Sequence, residues 1–423
     1  MQKKQINLAL QGGGAHGAYT WGVLDRLLEE PELEIRGISG TSAGALNGAA
    51  LKAGLIKGGH QAARDNLDWL WDRVAGVGNL HLNGWMAPFG VGALSQAMAY
   101  SWPVMLSTAM TQIVSPYVYG PLYRNPLRDI VETFDYEHIC QAAGPRLFVS
   151  ATKVRDGKIR VFEKEEITPD AILASACLPT LFQAIEMEDP KSGRREAFWD
   201  GGYTGNPALF PLYSSDLPGD IVIININPLE RDELPTTPQM IHNRVNEISF
   251  NSSLLRELRA IHFVQNLLDQ GRVEEGQMQR LRIHMIADDD LMSQLSTATK
   301  SVPNGAVITA LKSAGRTSAE RFLQTDIDSI GKCSSVDLRK SSSVTSFCGT
   351  NNKKPEVGLG VVGTNTPTRF DPSPPAAATS PFAGIEIKPS AHIPLRGYSI
   401  MQAVSKLRSD WAKIVSEICL MPE

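Results

Sequence analysis

Between Ile6 and Leu51 the chain reads INLALQGGGAHGAYTWGVLDRLLEEPELEIRGISGTSAGALNGAAL, and the order of its parts decides the fold. Ile6-Asn7-Leu8-Ala9-Leu10 is an apolar run of strand length, stopped by Gly12-Gly13-Gly14. Ala18 to Glu30 then carries Trp21, Leu24, Leu27 and Leu28 at helical spacing. Leu33 to Ser39 is a second short strand, stopped by Gly40-Thr41-Ser42-Ala43-Gly44, and a helix of small residues follows through Ala49 and Leu51. Strand, tight turn and helix twice over, with connections this short, predict an α/β fold. Its sheet is parallel, and its turns open at the carboxyl edge, where such folds place their sites.

Farther along, Arg146 to Ala151 and Lys158 to Phe162 read as strands around the Asp156-Gly157 turn, and Pro169 to Cys177 reads as a helix. Asp220 to Ile226 contains Ile221-Val222-Ile223-Ile224, the continuous β-branched run of a strand covered on both faces. Leu254 to Leu268 has a helical stripe, and Leu281 to Ile286 returns to strand. A packed domain over residues 5–338 accommodates all of these. Beyond it the composition turns to Ser, Gly, Thr and Pro, which predicts a low-complexity, disordered linker over 339–394. Met401, Val404, Leu407, Trp411, Ile414, Val415 and Ile418 predict a terminal helix within 395–423.

A chain of 423 residues, 42% of them hydrophobic, can bury a sizeable core, and a formal net charge of −4 provides no general field for a polyanion, so nucleic acid is not an expected partner. Five widely spaced cysteines without a CxxC pair predict neither a zinc site nor a redox dithiol, and fit reduced thiols in a cytoplasm. The apolar stretch after Lys3 and Lys4 is too short for a secretory signal. One segment is unusual: residues 74–123 contain no Asp, Glu, Lys or Arg, and include Trp85 and Trp102. Gly, Ser, Pro and Gln interrupt it too often for a membrane span, so it reads as an apolar cap or interfacial insertion, or else as core helices.

Three turns could carry chemistry. Gly12 to Gly17 satisfies GxGxxG, a dinucleotide fingerprint, but the second strand ends in a GxSxG turn and not in the acidic residue that would hold a ribose. Glycines at a helix start equally suit an oxyanion hole, or a plain turn. Gly40-Thr41-Ser42-Ala43-Gly44 fits a nucleophile elbow, where Gly40, Gly44 and other tiny neighbours let the chains approach closely; the competing reading is a helix cap. Asp200-Gly201-Gly202 is a common turn sequence, yet Ser42 needs a base to accept its proton. Asp200 is one candidate. His242, in what reads as a polar loop, His262, in a helical stripe, and His284, in a strand, are the others.

Taken together, the glycine loop, the GxSxG turn soon after it and the later Asp-Gly-Gly resemble the patatin-like phospholipase family. Ala174-Ser175-Ala176-Cys177-Leu178-Pro179 and Asn206-Pro207 resemble further blocks of that family, and the similarity spans about Ile6 to Leu338. The resemblance implies a three-layer α/β/α sandwich with a mainly parallel central sheet. It implies a Ser42–Asp200 dyad without histidine, and an oxyanion hole from the backbone of Gly12, Gly13 and Gly14, with Gly17, Gly40, Gly44, Gly201 and Gly202 as motif glycines. It requires no metal and no organic cofactor. The implied substrate is a lipid or another hydrophobic ester, and His16, where such loops often carry a polar or cationic residue, would be a further contact for phosphate or oxyanion; the uncharged run itself makes Trp85 and Trp102 candidates for a membrane boundary. Rival functions are hydrolysis of another hydrophobic ester or thioester, such as a storage polyester, and a non-catalytic regulatory role on the same fold.

Overall fold

The computed structural model describes residues 3–77, 115–274 and 276–338, all within the unit Met1–Asn352. The chain-end expectations over 339–394 and 395–423, most of the 74–123 insertion, and Trp85 and Trp102 lie outside the described residues.

Eight strands form one sheet: β1 (Lys4–Leu10), β2 (Leu33–Thr41), β3 (Arg146–Lys153), β4 (Ile159–Glu163), β5 (Ile185–Asp189), β6 (Arg194–Asp200), β7 (Asp220–Ile224) and β8 (Arg282–Ile286). β3, β2, β1, β7 and β8 lie parallel in that order, whereas β4, β6 and β5 form an antiparallel flank around β3. Register aligns the carboxyl ends, with Leu10 opposite both Gly40 and Ile224, so the loops after β1, β2 and β7 leave the sheet at one level.

Alternation along the strands makes the layers. Ile6, Leu8, Leu10, Ile38, Val222 and Ile224 point into one core, and Ala9, Ile221, Ile223, Ile283 and Met285 into the other. The first core is covered by α1 (Gly17–Leu27), α2 (Ala43–Val77), α3 (Pro169–Ser175) and a later helix, Gly305–Thr325; the second is covered by α4 (Pro238–Asp269) through Leu254, Leu258 and Ile261. This is the expected three-layer α/β/α sandwich. The β-branched run of β7 is fully buried because both of its faces are covered.

Three elements depart from the sequence reading. The helix after Ser42 runs on to Val77 but breaks at Gly58 and Gly59, where Gly59 has φ +72°. Its second half folds back on the first: Trp71 Nε1 donates to Asn47 Oδ1 at 2.9 Å, and Trp71 stacks on Trp21 of α1 with centroids 6.2 Å apart. α4 begins at Pro238, well before the apolar stripe, with Thr237 capping it through the Met240 amide. α5 (Gly305–Thr325) was not anticipated, although Val307, Ile308, Leu311, Ala319 and Phe322 repeat with helical period and are buried.

α5 crosses α1 with backbone nearly touching backbone. A Cβ added at Gly22 would lie 1.9 Å from the Lys312 carbonyl oxygen, and one at Gly315 would lie 2.1 Å from that of Tyr19. Gly22→Ala is therefore expected to force the helices apart. The predicted cost is about 1–3 kcal/mol of stability, as for other overpacked cores, read as a lower midpoint in urea unfolding.

Candidate active site

Ser42 sits between β2 and α2 with φ +54°, a left-handed conformation that a serine adopts only under constraint from its surroundings. Those surroundings explain the tiny neighbours. A Cβ on Gly40 would lie 2.5 Å from the Gly44 carbonyl oxygen, and one on Gly44 would lie 2.1 Å from that of Leu10. Gly17 is equally confined, since its Cβ would meet that of Ala43 at 2.6 Å. The Ser42 carbonyl accepts from the amides of Ala45 (2.8 Å) and Leu46 (3.1 Å), which starts the helix. The Ser42 amide donates to Ser175 Oγ at 2.9 Å, so α3 holds the turn from the side. Among the described residues the Ser42 hydroxyl bonds no first-turn amide, and Thr41 Oγ1 is engaged with Ser150 Oγ and the Gly205 carbonyl.

Asp200 reaches the same place by sheet topology. β2 pairs with β3 as far as Thr41 opposite Ser150, and β6 pairs with β3 from Ala151 onward, with Asp200 opposite Ala151. β4 occupies the other side of β3 through Ala151 and Thr152, so β6 takes the side that β2 vacates. The carboxyl ends of β2 and β6 thus meet head-on. A Cβ on Gly201 would lie 2.2 Å from the Ser150 carbonyl oxygen and 3.0 Å from Thr41 Cγ2; one on Gly202 would lie 3.1 Å from the Phe250 ring. Glycine is required at the first step, against backbone, and a side chain at the second would press on the Phe250 ring.

Asp200 is buried, and its amide donates to the Cys177 carbonyl at 2.7 Å. Oδ1 accepts from the Gly202 amide at 2.7 Å, whereas Oδ2 is buried and accepts no bond of ordinary geometry. Burial raises the carboxyl pKa to about 7, against the opposing pull of the Gly202 amide and the Ser42 hydroxyl. The Ser42 hydroxyl thus acts on the Asp200 carboxyl, although no hydrogen bond of ordinary geometry closes onto Oδ2.

The glycine loop faces Ser42 from β1. A Cβ on Gly12 would lie 2.7 Å from Ser42 Cβ, one on Gly13 would lie 2.9 Å from Ile226 Cδ1, and Gly14, at φ +57°, is backed by the Lys300 carbonyl. The Gly12 amide is already committed, donating to Asn206 Oδ1 at 2.7 Å. Among the described residues the amides of Gly13 and Gly14 donate to no neighbour.

The histidines are dispersed. His16, expected either to contact substrate or to lie exposed in its loop, is fully buried, with Nε2 2.8 Å from Thr299 Oγ1. Burial, aided by the charges of Lys300 and Arg231, holds its pKa well below the usual value, so it is a neutral imidazole and no cation. His242 lies in α4 and not in a loop, exposed and bonded to Asn246 Nδ2 at 3.1 Å; His262, on the same helix, bonds Asn266. His284 is buried between Asp220 Oδ1 (3.1 Å) and Ser335 Oγ (3.3 Å), where Asp220 opens β7 at the opposite edge of the sheet.

Residues that sequence reading gave no role complete the site. Asn206, Asn227, Asn251 and Gln11 form a buried amide network behind the glycine loop, with Gln11 Oε1 accepting from Ile226 N, Asn227 N and Asn227 Nδ2 at 2.9–3.1 Å. Gln11 and Asn227 were signalled only as polar residues just after strands β1 and β7, Asn206 by the Asn206-Pro207 block, and Asn251, within α4, by nothing in the sequence. No group of three or more potential metal ligands occurs among the described residues, nor does a helix long and apolar enough to cross a membrane.

The family model described as patatin-like phospholipase matches residues 8–213. Among solved structures, the chain is similar to VipD from Legionella pneumophila, with 13% identity, 77% of this chain and 67% of that chain covered, and a TM-score of 0.36. It is also similar to the ExoU–SpcU complex of the type III secretion system of Pseudomonas aeruginosa, with 18% identity, coverage of 78% and 62%, and a TM-score of 0.25. No curated protein matches the chain.

Proposed function

From the membership of residues 8–213 in the patatin-like phospholipase family, we propose that this chain is a lipid acyl hydrolase that cleaves carboxylic esters through Ser42 and Asp200. The observation that carries the reading is the head-on meeting of β2 and β6 along one side of β3, which sets a left-handed serine beside a buried carboxyl. In the first step the Asp200 carboxylate takes the Ser42 Oγ proton as Oγ attacks the ester carbonyl carbon. The resulting oxyanion is met by backbone amides of the glycine loop. Collapse breaks the ester bond, the alcohol leaves with the proton from Asp200, and the acyl group stays on Ser42. Water, deprotonated by Asp200, then attacks the acyl carbon, the bond to Ser42 Oγ breaks, and Oγ takes the proton back from Asp200 as the acid leaves.

A base with a pKa of about 7 sets the pH dependence. Below that value the carboxyl is protonated and cannot accept the serine proton. The kcat/KM for a soluble nitrophenyl ester is expected to rise tenfold per pH unit up to about 7 and then level off. An acid limb near pH 4 would mean that the Asp200 carboxyl keeps its ordinary value in the folded protein, and the Asp200→Asn variant then decides whether it is the base.

The direct test is covalent. A fluorophosphonate probe is expected to label the wild-type protein at Ser42, located by peptide mass spectrometry; no labelling of folded protein would overturn the reading. Assays on phospholipids, lysophospholipids, triacylglycerols and short nitrophenyl esters then rank the substrates. The uncharged run 74–123 supports a lipid-facing role for Trp85 and Trp102. Charged residues placed between Trp85 and Met105 are expected to weaken vesicle binding while sparing hydrolysis of the short ester. Equal loss of both would mean that the segment only supports the fold.

A further inference from the structure

Both polar groups of Gly12 are occupied by buried asparagines. The amide donates to Asn206 Oδ1 at 2.7 Å, and the carbonyl accepts from Asn206 Nδ2 at 3.3 Å and from Asn227 Nδ2 at 2.8 Å. Asn206 is itself fixed. Its amide donates to Ser253 Oγ at 3.1 Å, its carbonyl accepts from Gln11 Nε2 at 3.2 Å, and the residue is fully buried. Asn206 belongs to the segment that leaves Asp200, while Gly12 belongs to the loop that leaves β1 and packs on Ser42 Cβ. One side chain therefore joins the strand that bears the base to the loop that faces the nucleophile.

We propose that Asn206 is a positioning residue for the oxyanion hole, acting through Gly12, and that the oxyanion donors are the Gly13 and Gly14 amides without that of Gly12. This rests on the acyl-hydrolase reading above. A donor whose hydrogen bond to a buried side chain is already 2.7 Å long cannot turn to a developing charge without breaking that bond. What the Gly12 pairing provides is direction: with Gly12 held at both its amide and its carbonyl, the next two peptide units keep one orientation in the ground and transition states. Preorganisation of this kind acts on turnover more than on substrate binding.

The test compares the full-length wild type with Asn206→Ala, and with Asn206→Ser in case the first does not fold. Both are assayed on a soluble nitrophenyl ester, with active sites counted by exhaustive fluorophosphonate labelling. The expected result is full labelling, reached slowly, with kcat per labelled site reduced about 100-fold, KM within about threefold, and the acid limb of the pH profile unmoved. A merely structural asparagine would instead lower the number of labelled sites and leave turnover per site unchanged. That outcome overturns the proposal, as does a shifted acid limb with a normal plateau, which would place the effect on Asp200. Failure of the wild type to label at Ser42 would be a different failure, that of the hydrolase reading itself, and the proposal would fall with it.

Discussion

Ser42→Ala is expected to lower kcat/KM for a nitrophenyl ester at least about 10,000-fold, since loss of the attacking oxygen leaves only binding and the oxyanion donors to act on the substrate. Stability should hardly change. Alanine at this position meets the same left-handed backbone as serine, at φ +54°, and the hydroxyl makes no bond to a first-turn amide among the described residues. Glycine is different, because it adopts positive φ without steric penalty. Ser42→Gly is expected to be as inactive as Ser42→Ala, yet more stable than wild type by about 1 kcal/mol. Inactive variants that differ in this order, by chemical denaturation, would separate loss of the nucleophile from loss of the fold. A Ser42→Ala protein that kept a tenth of wild-type activity would mean that another residue attacks the ester.

Asp200→Asn should cost about as much activity, on the order of 10,000-fold, because an amide of the same shape cannot accept the serine proton. Its effect on stability has a definite sign. Burial raises the folded-state pKa of Asp200 from 3.8 to about 7, so between those values the native protein binds a proton that the unfolded chain has released. Stability from this group is present at low pH and is lost as pH rises through about 7, where the native state must hold a buried carboxylate. The asparagine variant, always neutral, is expected to gain on wild type throughout that interval, with an advantage about 2–3 kcal/mol larger at pH 8 than at pH 5. Denaturation at both values checks this. If Asp200→Asn kept its activity and His242→Ala lost it, a histidine would be the base. The exposed position of His242 on α4, bonded to Asn246, opposes that outcome.

The raised pKa and the strained serine have one origin. Ser42 directly follows β2 and Asp200 ends β6, and both are held where neighbouring backbone leaves no room for larger side chains, as the contacts at Gly40, Gly44 and Gly201 make plain. The site is a place where the fold accepts local cost: a left-handed serine and a carboxyl with one oxygen unpartnered.

Some of this was legible in the chain alone. The double strand-turn-helix pattern between Ile6 and Leu51 determined the parallel centre of the sheet, the edge at which it opens and the elbow at Ser42. Those features follow from local causes: apolar period, glycine at tight turns and small residues where chains cross. The run Ile221-Val222-Ile223-Ile224 likewise announced a strand covered on both faces. Of the antiparallel flank only β4 was legible, as the strand after the Asp156-Gly157 turn; β5 and β6 did not announce themselves, because β6 begins with Arg194, Arg195 and Glu196 and carries too many charges for an apolar alternation. α4 was legible only from Leu254 onward, since its first turns carry few core contacts, and that concealed the helical setting of His242.

What only the tertiary structure decided is the partnership of residues far apart in sequence. From its own neighbours, Asp200 is an aspartate before two glycines, indistinguishable from a surface turn. It becomes a buried group with a pKa near 7 because β4 fills one side of β3 and leaves β6 the place beyond the end of β2. The same holds for the glycine loop. Three consecutive glycines promise free amides, but which of them is free depends on Asn206, brought in from beyond the third turn. Turns and helices are set by interactions a few residues long, whereas desolvation and the pairing of buried polar groups depend on what the whole chain packs against them.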